Sequence, residues 1–234
     1  MNETLFPHVV DSINLNTASA STYAGDIDNL IVVVAIIVMA WFFAALGLFL
    51  YFVVRFRAKP GQKAMYIDGY NPLHKRWITY PHNAVLLFDV IILVLAVRVW
   101  NHVKIDMPEK PDMTVEVVAQ RWAWTFTHPG TDGQPGTKDD IKTADELHVK
   151  LGDTVRWNGT SRDVLHSFSV PAFRMKQDVI PGRINSGWFK TKEAGTFDIQ
   201  CTEICGIGHG VMRARIVVDT PEQHAAWIAA NSPK

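Results

Sequence analysis

The residues with the clearest chemical potential lie in one short segment near the end of the 234-residue chain. The chain has two cysteines, and they stand in the segment Cys201-Thr-Glu-Ile-Cys205-Gly-Ile-Gly-His209-Gly-Val-Met212. A disulfide is one interpretation, because an oxidising compartment would favour it. That interpretation leaves the histidine and the methionine close behind the cysteines unexplained. Thiolates, imidazole and thioether together form a soft ligand set that suits copper.

A single copper ion is the simplest metal site that these residues could build. Cys205, His209, Met212 and the upstream His166 reproduce the His₂Cys set with an axial methionine that is typical of a blue-copper site. Side chains alternate between the two faces of a strand, and this alternation points His166, Cys201 and Met212 inward. These three residues come from three predicted strands. We therefore expect them to converge at one interior end of a β domain.

The second cysteine distinguishes a site with one copper ion from a site with two. A site with one copper needs one thiolate, and a spare thiolate would be liable to oxidise. Two thiolates from one loop can instead bridge two copper ions, with His166 and His209 completing one end each. Met212 and the backbone carbonyl of Glu203 would then be weak axial ligands. Such a site leaves no coordination position open, so we do not expect the domain to turn over a substrate by itself.

Two apolar runs precede these residues. No charged residue occurs from Leu30 to Val54, and the run from Ile78 to Val97 is nearly as apolar, interrupted by His82 and Asp89. Each run is long enough for a membrane span, which needs about 20 apolar residues. A signal peptide is the alternative for the first run, but the run is too long and no lysine or arginine precedes it. The sequence therefore predicts a transmembrane helical hairpin over residues 30–100.

Basic residues set the orientation of this hairpin. Residues 1–29 contain no lysine or arginine, whereas the connecting loop, about 55–77, is rich in both. Its basic residues are Arg55, Arg57, Lys59, Lys63, Lys75 and Arg76. Since cytoplasmic loops carry the excess of basic residues, the loop is expected in the cytoplasm. The N-terminal segment 1–29 and everything after about Asn101 are then expected on the outer face.

The part of the chain beyond the membrane reads as a linker, a β domain and a helix. Residues 101–113 are polar and marked by prolines, which favours a linker. Short strand patterns then follow at close intervals over 114–219, separated in several places by Gly and Pro, which predicts an all-β sandwich or barrel. Thr220 is placed to cap a short helix in residues 220–234, with proline at its first position and a capping-box glutamine.

The β domain contains one change of alternation. Val117 and Ala119 are the apolar members of one alternating pattern, and Trp122 and Trp124 follow on the opposite parity. An extra residue in a strand has this effect, so the pattern predicts a β-bulge near Gln120 and places both tryptophans on one face.

The cysteine segment, His166 within Asp-Val-Leu-His-Ser-Phe-Ser-Val-Pro, and the following Lys-Gln-Asp-Val-Ile-Pro-Gly-Arg (176–183) together strongly resemble cytochrome c oxidase subunit II. The resemblance covers both spans, the tryptophan-rich segment and the whole outer domain. It implies a cupredoxin-like Greek-key domain after the two-helix transmembrane hairpin. It also implies a binuclear copper centre, CuA, whose ligands would be His166, Cys201, Glu203 through its carbonyl, Cys205, His209 and Met212.

The resemblance implies two further roles near this centre. The Glu203 side chain would bind a magnesium or manganese ion at the border with subunit I, and a hard carboxylate suits such an ion. The alternative is a glutamate that contributes only its backbone. Trp122, favoured over Trp124, would be the residue at which electrons enter, although strand tryptophans more often pack in cores. Asp163 is either an acid that helps the electron donor to dock or a solvated loop carboxylate.

The function implied by the resemblance is electron relay on the outer face of a membrane. The chain would accept electrons from a c-type cytochrome, soluble or membrane-bound, and pass them to haem in subunit I. There oxygen is reduced to water, coupled to proton translocation, so the chain is an oxidoreductase subunit that is not catalytic alone. Its expected setting is the bacterial inner membrane, or a mitochondrial-type equivalent, with the copper domain on the periplasmic side among other oxidase subunits and lipid. The sequence contains no basic patch that would predict a nucleic-acid partner.

Four alternatives remain beside that interpretation. A membrane-tethered carrier with one blue copper would need a single thiolate, and a quinol oxidase subunit II would lack the copper ligands. Nitrous oxide reductase carries a CuA domain within a much longer chain, and a disulfide-bonded structural module would hold no metal.

The second span also departs from the family. Trp77 and Pro81 keep the usual spacing, but His74 stands where members often have a glutamate at a proton path, so that role is not carried over.

Overall fold

The computed structural model describes residues 18–63, 66 and 69–233. The chain divides into two compact units, one formed by Asn29–Val99 and the other by Trp100 onward together with the segment that ends at Asp28. Residues 1–17, most of the predicted outer N-terminal segment, lie outside the described residues.

The first unit consists of two long apolar helices, α1 (Ala24–Arg55, 32 residues) and α2 (Pro72–Trp100, 29 residues). At ~1.5 Å per residue, each is longer than the ~30 Å hydrocarbon core of a bilayer. Leucine, isoleucine, valine and phenylalanine side chains are exposed all around both helices, which is typical of surfaces that face lipid or partner helices. By length and composition both helices could cross a membrane. The Trp41 and Phe88 rings meet edge to face at 5.9 Å.

Both helices extend beyond the predicted apolar runs. The first begins at Ala24 rather than at residue 30. The second begins after Asn71, whose side-chain oxygen accepts a hydrogen bond from the Leu73 amide, so it starts well before its apolar run. It continues beyond Trp100 as a π-helical turn over Asn101–Ile105. The first five residues of the expected linker, 101–105, are therefore helical.

Contacts with the β domain explain why the chain stays ordered in this turn. The Trp188 indole donates a hydrogen bond to the Val103 carbonyl at 3.1 Å. The Lys104 ammonium donates to the Gln177 side chain at 2.9 Å. Both partners lie on the β domain. The start of the predicted linker is therefore held by tertiary contacts, which its polar composition does not indicate.

The second unit is a sandwich of two five-stranded sheets. Its strands are β1 Met113–Gln120, β2 Ala123–His128, β3 Ile141–Ala144, β4 Glu146–Lys150, β5 Thr154–Ser161, β6 His166–Val170, β7 Met175–Val179, β8 Asn185–Lys190, β9 Gly195–Cys201 and β10 Arg213–Asp219. One sheet has the order β3-β2-β1-β5-β8 and the other β4-β10-β9-β6-β7. The pairs β1–β5 and β4–β10 are parallel, and the remaining pairs are antiparallel.

Alternation along the strands builds the core between the sheets. Buried and partly exposed residues alternate along β1 and β5. Large aromatic side chains fill the centre, where the Phe168 ring lies 5.2 Å from that of Trp157 and 5.6 Å from that of Trp124. Fully burying a side chain of this kind stabilises the fold by roughly 1.5–3 kcal/mol. The predicted fold class, a helical hairpin followed by a cupredoxin-like β domain, is confirmed.

The predicted β-bulge near Gln120 is wrong. The strands β1 and β2 form a hairpin in which Gln120 pairs with Ala123, so Arg121 and Trp122 make the turn; the peptide bond between these two residues is cis. The inward parity changes because the chain reverses, and not because a strand contains an extra residue. The two tryptophans therefore have different surroundings: Trp122 at the turn is 40% exposed, whereas Trp124 is fully buried.

The segment before α1 and the first five residues of α1 are part of the β domain. The Ala20 amide donates to the Ala172 carbonyl at 2.8 Å, and the Thr22 amide donates to the Lys190 carbonyl at 3.0 Å. The Arg174 guanidinium holds both carboxylate oxygens of Asp28, at 2.7 and 3.1 Å. Such two-pronged ion pairs fix geometry as well as charge. The β domain thus includes chain from both sides of the helical hairpin.

The last helix, α3 (Pro221–Asn231), packs on a cluster of histidines. Its capping box forms as the sequence predicts, with Thr220 and Gln223 bonded reciprocally. The Trp227 ring stacks on His148 at 4.3 Å and meets His128 edge to face at 4.9 Å. The pKa of His128 is lowered to about 4, mainly by burial; the hydrogen bond to the Ile141 carbonyl opposes this, and the neighbouring His148 and His224 add to the lowering.

This burial predicts that the β domain loses stability in mild acid. His128 titrates near 6.5 when unfolded and near 4 when folded, so the unfolded state binds more protons between these values. The stabilisation is complete above pH 6.5 and is lost as the pH falls toward 4, by up to about 3 kcal/mol. Denaturant unfolding of the metal-free full chain in detergent, followed by tryptophan fluorescence from pH 7 to pH 4, measures the loss.

The matched variants are His128→Gln, which keeps one donor and one acceptor, and His82→Gln, at an exposed histidine of α2 outside the β domain. His128→Gln should reduce the loss of stability in acid, and His82→Gln should leave it unchanged. Equal pH dependence in all three proteins would contradict the assignment to His128.

Candidate metal centre

Three neighbouring strands bring the predicted ligands to one end of the sandwich. His166 is the first residue of β6, Cys201 is the last of β9, and Met212 directly precedes β10. Because β9 pairs antiparallel with both β6 and β10, the start of β6 and of β10 lies beside the end of β9. The Cys201 amide donates to the Met212 carbonyl at 3.2 Å, which closes the loop between them.

That loop returns Cys205 and His209 to the same place. Gly206 has φ +124°, a conformation that residues with a side chain rarely adopt, and it lets the chain reverse directly after Cys205. The His209 amide donates to the Gly206 carbonyl at 3.1 Å, and the Met212 amide donates to the His209 carbonyl at 3.3 Å. The loop is therefore held by its own backbone.

The two sulfur atoms lie side by side, and each has one imidazole beside it. The Sγ atoms of Cys201 and Cys205 are 3.7 Å apart and both thiols are free; a disulfide would need ~2.05 Å. The Nδ1 atom of His166 lies 3.8 Å from the Cys201 sulfur. The Nδ1 atom of His209 lies 3.7 Å from the Cys205 sulfur.

A weaker donor accompanies each sulfur as well. The Glu203 carbonyl oxygen lies 3.3 Å from the Cys201 sulfur, and the Met212 sulfur lies 3.8 Å from that of Cys205. Each cysteine thus has one imidazole and one weak donor. In the part of the chain that the structure describes, His166, Cys201 and Cys205 form a buried group able to hold a metal ion, with ligand atoms within 4.8 Å of one another. Within these described residues, all six predicted ligand positions come together.

The chemistry of this donor set fits copper. Cysteine sulfur, imidazole nitrogen and thioether sulfur are soft donors, which select copper over hard cations such as magnesium. Burial, together with the neighbouring Cys201 thiol, raises the pKa of the Cys205 thiol to about 11. Without a metal this thiol is protonated at neutral pH, so metal binding has to displace its proton.

The Asp163 carboxylate orients His166, a role that the sequence did not predict for it. The His166 Nε2–H donates to Asp163 Oδ1 at 2.9 Å, which leaves the lone pair on Nδ1, the atom that faces the sulfurs. Metal-binding histidines commonly donate their second nitrogen to a carboxylate in this way. Asp163 precedes His166 by three positions in the sequence. This short spacing is the one feature of the sequence that could have indicated the contact.

Asp163 is also bonded on its other oxygen. Its Oδ2 accepts from the Arg121 amide at 2.8 Å and from the Arg121 guanidinium at 3.2 Å. Burial raises its pKa, but the hydrogen bonds from His166 and Arg121 outweigh burial and hold the pKa well below its usual range. Both alternatives considered for Asp163, a docking acid and a solvated loop carboxylate, overlooked these bonds, which engage both of its oxygens.

Trp122 and the Glu203 side chain lie outside the group of ligand atoms. The Trp122 indole lies against the backbone of Gly206 and Gly208 in the ligand loop. Glu203 is half-buried, and its carbonyl rather than its carboxylate faces Cys201.

Comparison with known proteins identifies the family. The family model described as cytochrome c oxidase subunit II, periplasmic domain, matches residues 113–220. The chain is 34% identical over 210 residues to the alternative cytochrome c oxidase subunit 2 of Bradyrhizobium diazoefficiens, an alignment that covers 80% of this chain and 73% of that protein. The chain belongs to the cytochrome c oxidase subunit II family. The resemblance predicted from the sequence is confirmed.

Two further members of the subunit II family are similar to this chain. Cytochrome c oxidase subunit 2 of Thermostichus vulcanus is 29% identical over 261 residues, covering 91% of this chain and 77% of that protein. The crystal structure of the periplasmic domain of subunit II of the Bradyrhizobium japonicum cytochrome oxidase is 29% identical, with a TM-score of 0.48. It covers 53% of this chain and 96% of its own. The part of this subunit II that the family model matches contains all six ligand positions.

The orientation of His166 by Asp163 yields a prediction about metal affinity. Asp163→Ala removes the acceptor that fixes the imidazole, so copper affinity should fall about 10–100-fold, as is usual when a carboxylate behind a metal-binding histidine is lost. Competition between the metal-free chain and a copper chelator of known affinity measures the change.

Arg121→Ala is the control, because it removes a guanidinium from Asp163 and leaves the bond between Asp163 and His166 in place. Its affinity should stay within a factor of about three of the parent, the usual scatter of surface changes of ~0.5 kcal/mol. An unchanged affinity in Asp163→Ala would argue that His166 is oriented by something else.

Proposed function

We propose that this subunit II is the electron-entry subunit of a respiratory cytochrome c oxidase. On the outer face of the membrane it takes electrons from a c-type cytochrome and delivers them to haem in subunit I. There oxygen is reduced to water, and protons are translocated. The chain performs no turnover alone, since its soft donor atoms are all directed at one buried place.

One observation carries this proposal: two buried thiols lie side by side, each with its own imidazole and its own weak donor. A single copper would use one thiolate, and the second would have no role. The paired arrangement favours two copper ions, the CuA centre, held by the side chains of His166, Cys201, Cys205, His209 and Met212 and by the carbonyl of Glu203. When bound, such a centre takes up and releases one electron.

The residues around the proposed centre hold its ligands in place and exclude water from most of them. Cys201, Cys205 and Met212 are buried, and His166 is fully enclosed. Water is therefore excluded from most of the donor atoms. His166 is held at Nε2 by Asp163, and the rigid loop backbone holds His209. Ligands that cannot shift keep the geometry similar in both oxidation states, which favours electron transfer over substrate chemistry.

Trp122 is the proposed point of electron entry. Its indole is part-exposed at a turn and packs on the loop that carries Cys205 and His209. Trp124, the other candidate, is fully buried in the core, where a docking partner could not touch it. An exposed indole that touches the ligand loop is the shorter route from a partner to the ligands.

The Glu203 side chain is proposed to bind magnesium or manganese at the border with subunit I. Its carbonyl oxygen lies beside the Cys201 sulfur, and the carboxylate of the same residue could bind a second ion. A carboxylate is a preferred ligand of both ions. Glu203 would thus connect the copper loop with the next subunit through a single residue.

The two apolar helices support a place in the membrane, and the family model describes its matched domain as periplasmic. We therefore assign the chain to the bacterial inner membrane, or its mitochondrial equivalent, with the β domain on the outer side. Subunit I, other oxidase subunits and lipid are its proposed neighbours, and the c-type cytochrome donor approaches from outside.

Metal content tests the proposal directly. The purified oxidase should contain two copper ions in this chain, with an EPR spectrum in which one unpaired electron is shared by both. Cys201→Ser should remove at least one copper and abolish the shared signal, because one bridging thiolate is lost. One copper per parent chain would favour a membrane-tethered blue-copper carrier instead. A pair of thiols joined to each other without metal would exclude electron relay.

The Glu203 proposal has its own test. In cells grown with manganese, Glu203→Gln should lose the manganese EPR signal of the complex, since an amide is a much weaker ligand than a carboxylate. The shared copper signal should remain, because the backbone carbonyl is unchanged. Retention of bound manganese in the variant would show that Glu203 contributes only its backbone.

A further inference from the structure

The ligand loop contains a glycine whose presence its own backbone does not require. Gly208 has φ −89° and ψ 9°, values open to residues with a side chain. Gly206 differs, because its φ of +124° favours glycine whatever surrounds it. The reason for a glycine at position 208 must therefore be sought in its surroundings.

The surroundings of Gly208 consist of the Trp122 indole. A Cβ atom at Gly208 would lie 2.4 Å from Cδ2 of the indole, 2.6 Å from Cγ and 2.8 Å from Cε3. Carbon atoms in non-bonded contact lie at about 3.5–4.0 Å, so even one methyl group would push the ring outward. These atoms belong to a rigid ring and not to the end of a flexible chain. The ring and the loop cannot both keep their places if position 208 carries a side chain.

We propose that Gly208 is a positioning residue for electron entry: its missing side chain lets the Trp122 ring lie in direct contact with the backbone between Cys205 and His209. The inference rests on the proposed role of Trp122. Electron tunnelling weakens exponentially with the gap between donor and acceptor, so contact between the ring and the loop sets the rate of entry. Gly208 acts through Trp122 and touches no electron donor itself.

The chain offers a matched control two residues away. Gly210 lies on the other side of His209, and a Cβ atom there would meet nothing within 4 Å. Gly208→Ala and Gly210→Ala therefore add the same methyl group to the same loop, and they differ in whether Trp122 is in the way.

The comparison uses the complete oxidase with both variants. Gly208→Ala should slow electron entry from reduced cytochrome c several-fold, because the ring must move outward by about 1 Å to reach normal carbon–carbon contact. Gly210→Ala should stay close to the parent. Transfer from the copper centre to haem, started by a small photoreductant, should be unchanged in both variants, as should the copper EPR spectrum.

A second readout does not depend on electron transfer. Hydroxyl-radical labelling of the metal-free chain, resolved to single residues by tandem mass spectrometry, reports the exposure of Trp122 separately from that of the neighbouring Trp124. Labelling at Trp122 should rise in Gly208→Ala and stay constant in Gly210→Ala. Equal labelling in both, with equal entry rates, would overturn the inference.

Trp122→Ala separates this inference from the proposal on which it rests. If this variant accepts electrons as fast as the parent, Trp122 is not the entry residue and the proposed role fails. If it is slow, adding Gly208→Ala should slow it no further, since the clash has been removed; a further loss would show that Gly208 acts independently of the ring. Should Gly208→Ala alone fail to bind copper, recovery of binding in the double variant would support the clash, and continued failure would contradict it.

Discussion

The structure depends on one constraint: two cysteine sulfurs lie 3.7 Å apart in a buried place. Two thiolates so close would repel each other, and burial already raises the pKa of the Cys205 thiol to about 11. A bound metal cation would offset that repulsion, so metal binding is expected to stabilise the arrangement. The β6, β9 and β10 strands and the loop before Met212 serve to hold these sulfurs, and the imidazoles beside them, at one end of the sandwich.

Asp163 joins this centre to the surface where electrons are proposed to enter. One of its oxygens accepts from the ring of His166, and the other accepts from the Arg121 amide in the turn that carries Trp122. The turn between β1 and β2 and the first residue of β6 therefore share one carboxylate. The position of the exposed indole and the orientation of a metal ligand are fixed together, although about forty residues separate them in sequence.

The sequence predicted which candidate donors lie together, but it did not predict the contacts that hold them in place. Alternation placed His166, Cys201 and Met212 inward because strand parity is a local property. The same parity change arises from a bulge or from a reversal of the chain, so the hairpin at Arg121–Trp122 was mistaken for a bulge. The strands β3, β7 and β8 carry weak sequence patterns because they are short and partly polar, and β8 pairs with β5 rather than with its neighbour in the chain. The docking of residues 18–28 on the β domain left no local signal at all.

The two glycines of the ligand loop show why residue type alone is ambiguous. Gly206 satisfies a backbone requirement, and Gly208 provides space for an indole that arrives from another strand pair. Four of the six candidate donors also have a second contact: Asp163 holds His166, strand pairing holds Cys201, and the loop backbone holds His209 and Met212. A site so constrained has little freedom to rearrange when its charge changes. That rigidity suits a relay that must accept and release an electron quickly, and it would hinder any chemistry that needs an open or shifting ligand.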